Sequence, residues 1–377
     1  MLRAFLLTLW RVISGAAVGI ATVWILSTSG LDARAQSIPS ERSGKQLYDQ
    51  GCAACHANDG TGTPRTLVGF DTPLPDFTDC SFATPEADAD WLAVAHAGGP
   101  VRAFDRRMPA FGEALSSDEL TRIIQYIRGF CTEPAWPRGE LNLPRALVTE
   151  KAFPENEAVY TVRAASGKFS NEFVYERRLG ARTQWELVVP IDAQDPGTGW
   201  NHGLGDVAVA LKHVLFHDLN AGRILSAAGE IVFPTGNENA GLGKGTTLFE
   251  PFVSFGQILP SDRFLQAQAG VELSTNRSKA AHEAFWRLAY GRTFFEPGFG
   301  RAWTPMVELL AARELEDERG VHWDLVPQMQ VSLSRRQHIL LNAGVQFPLN
   351  QRTNRSTRFM AYLLWDWFDG GFFEGWR

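Results

Sequence analysis

From about residue 158 to residue 368 the chain alternates apolar and polar residues with period two, the spacing of strands that turn unlike faces to unlike surroundings. Leu265, Ala267, Ala269, Val271 and Leu273 interleave with Gln266, Gln268, Gly270 and Glu272. Ile339, Leu341, Ala343, Val345 and Phe347 interleave with His338, Leu340, Asn342, Gly344 and Gln346. About twelve such segments follow one another, most of roughly ten or more residues. A soluble β-sandwich hides its apolar faces between two sheets and uses strands nearer ~5–6 residues. A transmembrane barrel turns apolar residues to lipid and polar ones to a lumen, with strands of about 9–11 residues or more. The segment lengths, their even number and the polar-face residues Glu250, Arg287, Glu308 and Asp324 favour a barrel with a wet lumen.

The connections sort by length. Short links fall near Gly180-Ala181, His217 to Ala221, Pro260-Ser261, Glu296 to Gly300 and Arg335-Arg336. Long links fall at Asp192 to His202, Thr235 to Gly245, Thr275 to His282, Glu314 to Gly320 and Asn350 to Arg355. After the first hairpin the two kinds strictly alternate. Outer-membrane barrels have short periplasmic turns and longer extracellular loops. The expectation is therefore an antiparallel transmembrane β-barrel of about twelve strands over residues 158–377, with both its ends on the periplasmic side. The 12 Trp and 25 Phe suit membrane girdles, and a net charge of −6 gives no case for a nucleic-acid partner.

Upstream, Cys52-Ala53-Ala54-Cys55-His56 is C-x-x-C-H, the attachment pattern of a c-type haem. The two thiols add across the haem vinyl groups, and His56 follows as proximal iron ligand. A redox or zinc C-x-x-C pair with a chance histidine is the bland alternative. Over residues from about 40 to 131 the chain resembles a class I cytochrome c. Gly44-Lys45-Gln46-Leu47-Tyr48 reads as a short helix leading to the motif, and Arg107-Met108-Pro109-Ala110-Phe111 resembles the family's distal Met-Pro-x-Phe loop. The resemblance implies an all-α domain with one covalent haem c. His56 and Met108 would be the axial ligands, and the Pro64 carbonyl would orient the proximal imidazole. His96 in Ala95-His96-Ala97-Gly98-Gly99 is the competing distal ligand, and ordinary packing is the alternative for Met108. Leu115-Ser116-Ser117-Asp118-Glu119 opens a last helix, with Leu120, Ile123, Ile124, Ile127 and Phe130 at helical spacing. In the family this helix packs across the first, which sets Ile123 and Tyr126 against Leu47 and Tyr48.

Residues 1–35 read as a signal peptide, with Arg3 and Arg11, an apolar run from Val12 to Leu26, and a cleavage site at Ala33-Arg34-Ala35. An uncleaved anchor is the alternative. Export fits attachment of a c-type haem and makes the compartment oxidising. With Cys52 and Cys55 taken by haem, Cys80 and Cys131 are expected to pair in one disulfide, two buried thiols being the alternative. The cytochrome domain then spans residues 36–131. Residues 132–157, with Pro134, Pro137, Pro144 and Pro154 and no period, read as an extended, semi-rigid linker.

Gly203-Leu204-Gly205-Asp206-Val207-Ala208-Val209-Ala210-Leu211-Lys212 is similar to a strand of small outer-membrane barrels of the phenol-degradation, MetA-pathway-like family. The strand pattern closes on Trp365-Asp366-Trp367-Phe368, and Phe368 or Trp376 is the candidate terminal aromatic for assembly. A monohaem cytochrome joined to a barrel also resembles the cytochrome–porin fusions of iron-oxidising bacteria, although their Ala-x-Pro-x-Phe-Ala-Arg stretch is absent from this sequence. These resemblances imply a protein of the outer membrane of a Gram-negative bacterium, in contact with its lipid, the cytochrome facing the periplasm. It would be an electron-transfer protein and not an enzyme. Its expected partners are a periplasmic redox protein and an extracellular donor or acceptor. A barrel of about twelve strands is too narrow to swallow the cytochrome, so the haem domain is expected at the periplasmic mouth. The rival reading is a channel for a small solute, with the cytochrome gating it or serving a periplasmic oxidoreductase. Haem-centred catalysis is disfavoured because His56 and Met108 would fill both axial positions. The acids Glu314, Glu316, Asp317 and Glu318 read as a solvated loop before they read as a cation site.

Overall fold

The computed structural model describes residues 41–70, 73–197, 199–316, 320–367 and 371–373. The expected signal peptide, the acids Asp317 and Glu318, and the terminal aromatics Phe368 and Trp376 lie outside the described residues.

The first part is a cluster of helices: α1 (Gly44–Gly51), α2 (Ala53–His56), α3 (Arg65–Val68), α4 (Cys80–Ala83), α5 (Asp88–Ala97) and α6 (Ser117–Arg128). Both long partners start at capping boxes, Ser43 with Gln46 on α1 and Ser116 with Glu119 on α6, which satisfy orphan N–H groups at each start. The two helices cross closely. A Cβ on Gly44 would lie 2.2 Å from the Arg122 carbonyl oxygen, so only glycine permits this approach. Leu47, Tyr48, Ile123, Ile124 and Ile127 form the core with Phe77 and Leu120, and the Tyr48 and Tyr126 rings lie 5.3 Å apart. Cys80 and Cys131 form a disulfide with Cα atoms 5.2 Å apart, tying α4 to the chain beyond α6.

The second part is a closed antiparallel barrel. Its strands are β1 (Glu157–Ala165), β2 (Lys168–Leu179), β3 (Thr183–Gln194), β4 (Asn201–Leu204), β5 (Ala208–Asp218), β6 (Arg223–Val232) and β7 (Leu248–Leu259). They continue with β8 (Arg263–Ser274), β9 (Glu283–Arg292), β10 (Phe294–Phe295), β11 (Ala302–Glu314), β12 (His322–Ser332), β13 (Ile339–Pro348) and β14 (Arg358–Asp366). The short β4 and β10 only extend the pairings of β3 and β11. The other twelve make the wall, closed by β14 on β1, where Glu157 faces Asp366, and by β9 on β11. The links 180–182, 219–222, 260–262, 293–301 and 333–338 share one end of the barrel, and the links 195–207, 233–247, 275–282, 315–321 and 349–357 share the other with the two-residue turn between β1 and β2. Outward residues such as Phe173, Ile191, Leu211, Val253, Tyr290 and Phe359 are exposed, an apolar exterior that water would penalise and lipid would not. Aromatic pairs mark both edges of this band: Tyr175 with Trp185 near the short turns, and Trp286 with Trp323 near the long loops.

Residues 132–156 are not the free-standing spacer that their prolines suggest. The stretch first packs on the helical part, with the Gly139 N–H donating to the Thr84 carbonyl at 2.7 Å and Arg138 paired with Asp88 at 2.8 Å. It then enters the barrel. Leu141, Leu147, Thr149, Lys151, Ala152, Phe153 and Glu155 are buried there. A twelve-strand barrel is wider than the eight-strand kind that side chains alone can fill, and a folded segment of chain takes the remaining space. This luminal segment touches all twelve strands, from Glu157 and Glu176 through Gln184, Lys212, Ser226, Gly256 and Gln266 to Arg287, Glu308, Gln328, Asn342 and Tyr362. Burying Leu141, Leu147 and Phe153 contributes about 1.5–3 kcal/mol each.

Candidate functional site

Cys52, Cys55 and His56 stand together at the junction of α1 and α2. Both cysteines are half-buried and not joined to each other. Burial, with the neighbouring Cys55, pushes the Cys52 thiol up to about 11. His56 stacks on Phe77 with ring centroids 4.9 Å apart. Burial lowers its pKa to about 4, so its imidazole is neutral at pH 7 and keeps a lone pair for a metal. Tyr48 holds the local backbone by donating its hydroxyl to the Ala57 carbonyl at 2.7 Å.

One expected contact is not formed. The Pro64 carbonyl accepts from the N–H groups of Leu67 and Val68, at 2.8 and 3.3 Å, because Pro64 caps α3. The Nδ1 of His56 is buried without a hydrogen-bond partner. The capping demand of α3 has taken the carbonyl expected to orient the imidazole.

Met108 lies on the loop that returns from α5. Its carbonyl accepts from the Gly99 N–H at 3.0 Å, and the Phe111 N–H donates to the Ala95 carbonyl at 3.0 Å. Phe111 packs on the same core as Cys52 and Phe77, which joins the loop of Met108 to the C-x-x-C-H helices. The His96 ring sits against Gly112, where a Cβ would come within 2.5 Å of it, and 5.2 Å from the ring of Phe299 in a barrel turn. His96 is thus committed to packing between loop and barrel. Two spaced cysteines and a neutral buried imidazole fit a haem held by the C-x-x-C-H motif.

Among the described residues, polar contacts of residues 41–138 with the barrel rim involve the turns 180–182, 293–301 and 333–338. Arg102 donates to the Phe299 carbonyl at 2.8 Å, Arg182 donates to the Ala135 carbonyl at 3.1 Å, and His338 lies 2.6 Å from Glu86. Arg336 also covers the Phe104 ring at 4.5 Å.

Inside the barrel, closure builds a row that no single strand contains. Glu176 pairs across with Glu186, then Ala210, Glu230 and Glu250 follow in register, and Glu272, Glu283 and Glu314 pair in turn on the next strands. Directly opposed carboxylates are costly when both are charged. At the lower end of the row oxygens of Glu150, Glu176 and Glu186 lie within 4.8 Å of one another. Arg145 supplies positive charge there, 2.6 Å from Glu176, 2.8 Å from Glu157 and 3.5 Å from Glu150. Glu308, expected to face a wet lumen, instead binds the luminal segment, accepting from the Thr149 N–H at 2.6 Å. In the long loops Glu316 accepts from the His282 N–H at 3.0 Å, an ordinary loop contact. Sequence reading missed Arg145, Lys151 and the partners of their segment. The available signal was the apolar set Leu141, Leu143, Leu147, Val148 and Phe153, which a solvated spacer has no use for.

Residues 39–127 match the family model described as cytochrome c oxidase, cbb3-type, subunit III. No curated protein matches the chain. Among solved structures the chain is similar to KdgM porin, at 10% identity and a TM-score of 0.39, over 56% of this chain and 99% of that one. NanC porin gives 10% identity and 0.40 over 56% and 98%, and the β domain of the Bordetella autotransporter BrkA gives 16% and 0.36 over 55% and 96%. The chain joins a cytochrome c-type domain to a closed twelve-strand barrel.

Proposed function

We propose that the protein is an outer-membrane electron-transfer protein, with one covalent haem c at the periplasmic mouth of a plugged barrel. The observation that carries this reading is the docking of the C-x-x-C-H domain on the rim that holds the turns 180–182, 293–301 and 333–338, through Arg102 to Phe299 and Glu86 to His338. In outer-membrane barrels that rim faces the periplasm. Cys52 and Cys55 would hold the haem by two thioether bonds, and His56 and Met108 would ligate its iron. Bound there, the haem supplies one-electron exchange. His56 stays neutral and ligand-competent because the helical core excludes water from it. With both axial positions taken, the domain passes electrons and does not transform a substrate.

The electron partners are a periplasmic redox protein on one side and a donor or acceptor outside the cell on the other. A single haem at one rim does not span an apolar band about 25 Å tall, so transfer across the membrane needs a further carrier entering the extracellular half of the lumen. A solute channel is the second reading. The luminal segment weighs against it, since its contacts reach every strand of the wall.

The test is redox-dependent optical spectroscopy on the detergent-extracted protein beside Met108→Ala. A red-edge charge-transfer band in the oxidised protein, lost in the variant, supports the electron carrier. Its absence, with ready carbon monoxide binding by the reduced protein, would reject Met108 and bring haem-centred catalysis forward.

A further inference from the structure

The barrel turn Glu296–Arg301 meets the cytochrome domain at the segment that carries Met108. Phe299 stands in this turn with φ 61°, a left-handed backbone that is costly for a bulky residue and persists where its surroundings impose it. Arg102, only 4% exposed, donates to the Phe299 carbonyl at 2.8 Å and, through Nε, to Asp90 at 2.7 Å. The His96 ring lies 5.2 Å from the Phe299 ring. Both contacts lead by backbone to the ligand loop. Arg102 ends the 3-10 turn Gly99–Arg102, whose Gly99 N–H donates to the Met108 carbonyl at 3.0 Å. The His96 carbonyl accepts from the Gly112 N–H at 2.9 Å, on the other side of Met108. A buried guanidinium held by a carboxylate and a carbonyl has little freedom, since both hydrogen bonds are charge-assisted. The loop is therefore pinned on either side of Met108 by groups that rest on one barrel residue.

We propose that Phe299 and Arg102 are positioning residues for the sixth ligand of the haem iron: the barrel turn holds the Met108 loop in its ligating place. This rests on the reading of Met108 as axial ligand. It makes the haem's distal side answerable to the barrel and not to the cytochrome domain alone.

The test uses the full-length, haem-loaded protein in detergent, as wild type, Met108→Ala, Arg102→Ala, Arg102→Lys and Phe299→Gly. The readouts are the red-edge band of the oxidised form and the rate of carbon monoxide binding by the reduced form. Arg102→Ala should lose most of the band and bind carbon monoxide roughly tenfold faster or more, the scale of one lost charged hydrogen bond, while Phe299→Gly, which keeps the carbonyl but removes the ring beside His96 and frees the turn, should lose part of the band. Arg102→Lys, which keeps a cation against Asp90, should recover part of the band. Heat-modifiable gel mobility verifies the barrel, and because the two substitutions lie in different domains, either one suffices if the other fails to fold. A wild-type band and rate in the folded variants, with the band lost in Met108→Ala, overturns the positioning role and leaves the ligand reading intact. A wild type without the band, unchanged by Met108→Ala, refutes the ligand reading and this proposal with it.

Discussion

Replacing Glu308 by alanine should loosen the luminal segment from the barrel wall. The carboxylate is fully buried at mid-strand on β11. Its oxygens accept from the N–H groups of Leu147 at 3.1 Å, Val148 at 3.2 Å and Thr149 at 2.6 Å, from the Thr149 hydroxyl at 2.6 Å and from the Gln328 amide at 2.6 Å. The Leu147 N–H has a second acceptor in Gln328 Oε1 at 3.0 Å, so its loss is partly made good. A hydrogen bond to a charged group contributes about 1.5–3 kcal/mol, and bonds sharing one acceptor do not add. Counting the two bonds to Val148 and Thr149 gives roughly 3–6 kcal/mol off the local opening free energy. At about 1.4 kcal/mol per factor of ten, exchange protection of these amides should fall by about two to four powers of ten. Hydrogen-exchange mass spectrometry of the peptide covering residues 139–156, on the haem-loaded protein in micelles, reads this directly. Glu308→Gln keeps one oxygen and should fall between. Planar-bilayer recordings should show ion conductance in the alanine variant and little in wild type. Unchanged protection in a correctly folded Glu308→Ala barrel would refute the claim that this carboxylate holds the segment.

Arg145→Met should lower barrel stability by roughly 3–5 kcal/mol, because it takes the paired cation from the buried Glu176 while Glu157 keeps only Lys151, and the heat-modifiable gel shift should move to lower temperature, partly restored by adding Glu176→Gln. Serine at both Cys80 and Cys131, which lie 51 residues apart, should cost the cytochrome domain about 4 kcal/mol on the loop-entropy account. Denaturant titration followed at the haem absorbance would show it, and an unchanged midpoint would contradict it. His338 lies 2.6 Å from Glu86 and 2.9 Å from Asp366. Burial alone would lower its pKa, but the charge of Asp366 and the bonds to both acids outweigh burial and hold it well above the usual value. A raised folded pKa stabilises fully below the ordinary histidine value of about 6.5, and that stabilisation is lost as pH rises through the raised value. The domain contact should therefore survive neutral pH and weaken only in alkali, seen as faster proteolysis of residues 132–138. His338→Gln should abolish this pH dependence.

What the sequence determined by itself was local. The period-two segments, the link lengths, the capping boxes at Ser43 and Ser116 and the C-x-x-C-H pattern are each written within a dozen neighbouring residues, and backbone geometry forces their consequences. The inward faces of β8 and β13 were legible in the same way. What filled those faces was not. Thr149 meets Glu308 across 159 positions and Arg102 meets Phe299 across 197, and no periodicity connects them. Prolines at 134, 137, 144 and 154 suggested an extended spacer because they govern only their own dihedral angles. Whether such a chain runs through water or through a barrel depends on the bore that twelve strands leave. The Pro64 carbonyl, likewise, was expected at His56 and went to the cap of α3. Barrel closure decided the rest: it set the glutamates of separate strands side by side in register, brought the short turns to the cytochrome, and left a cavity that buried apolar and charged groups of one segment could fill only together.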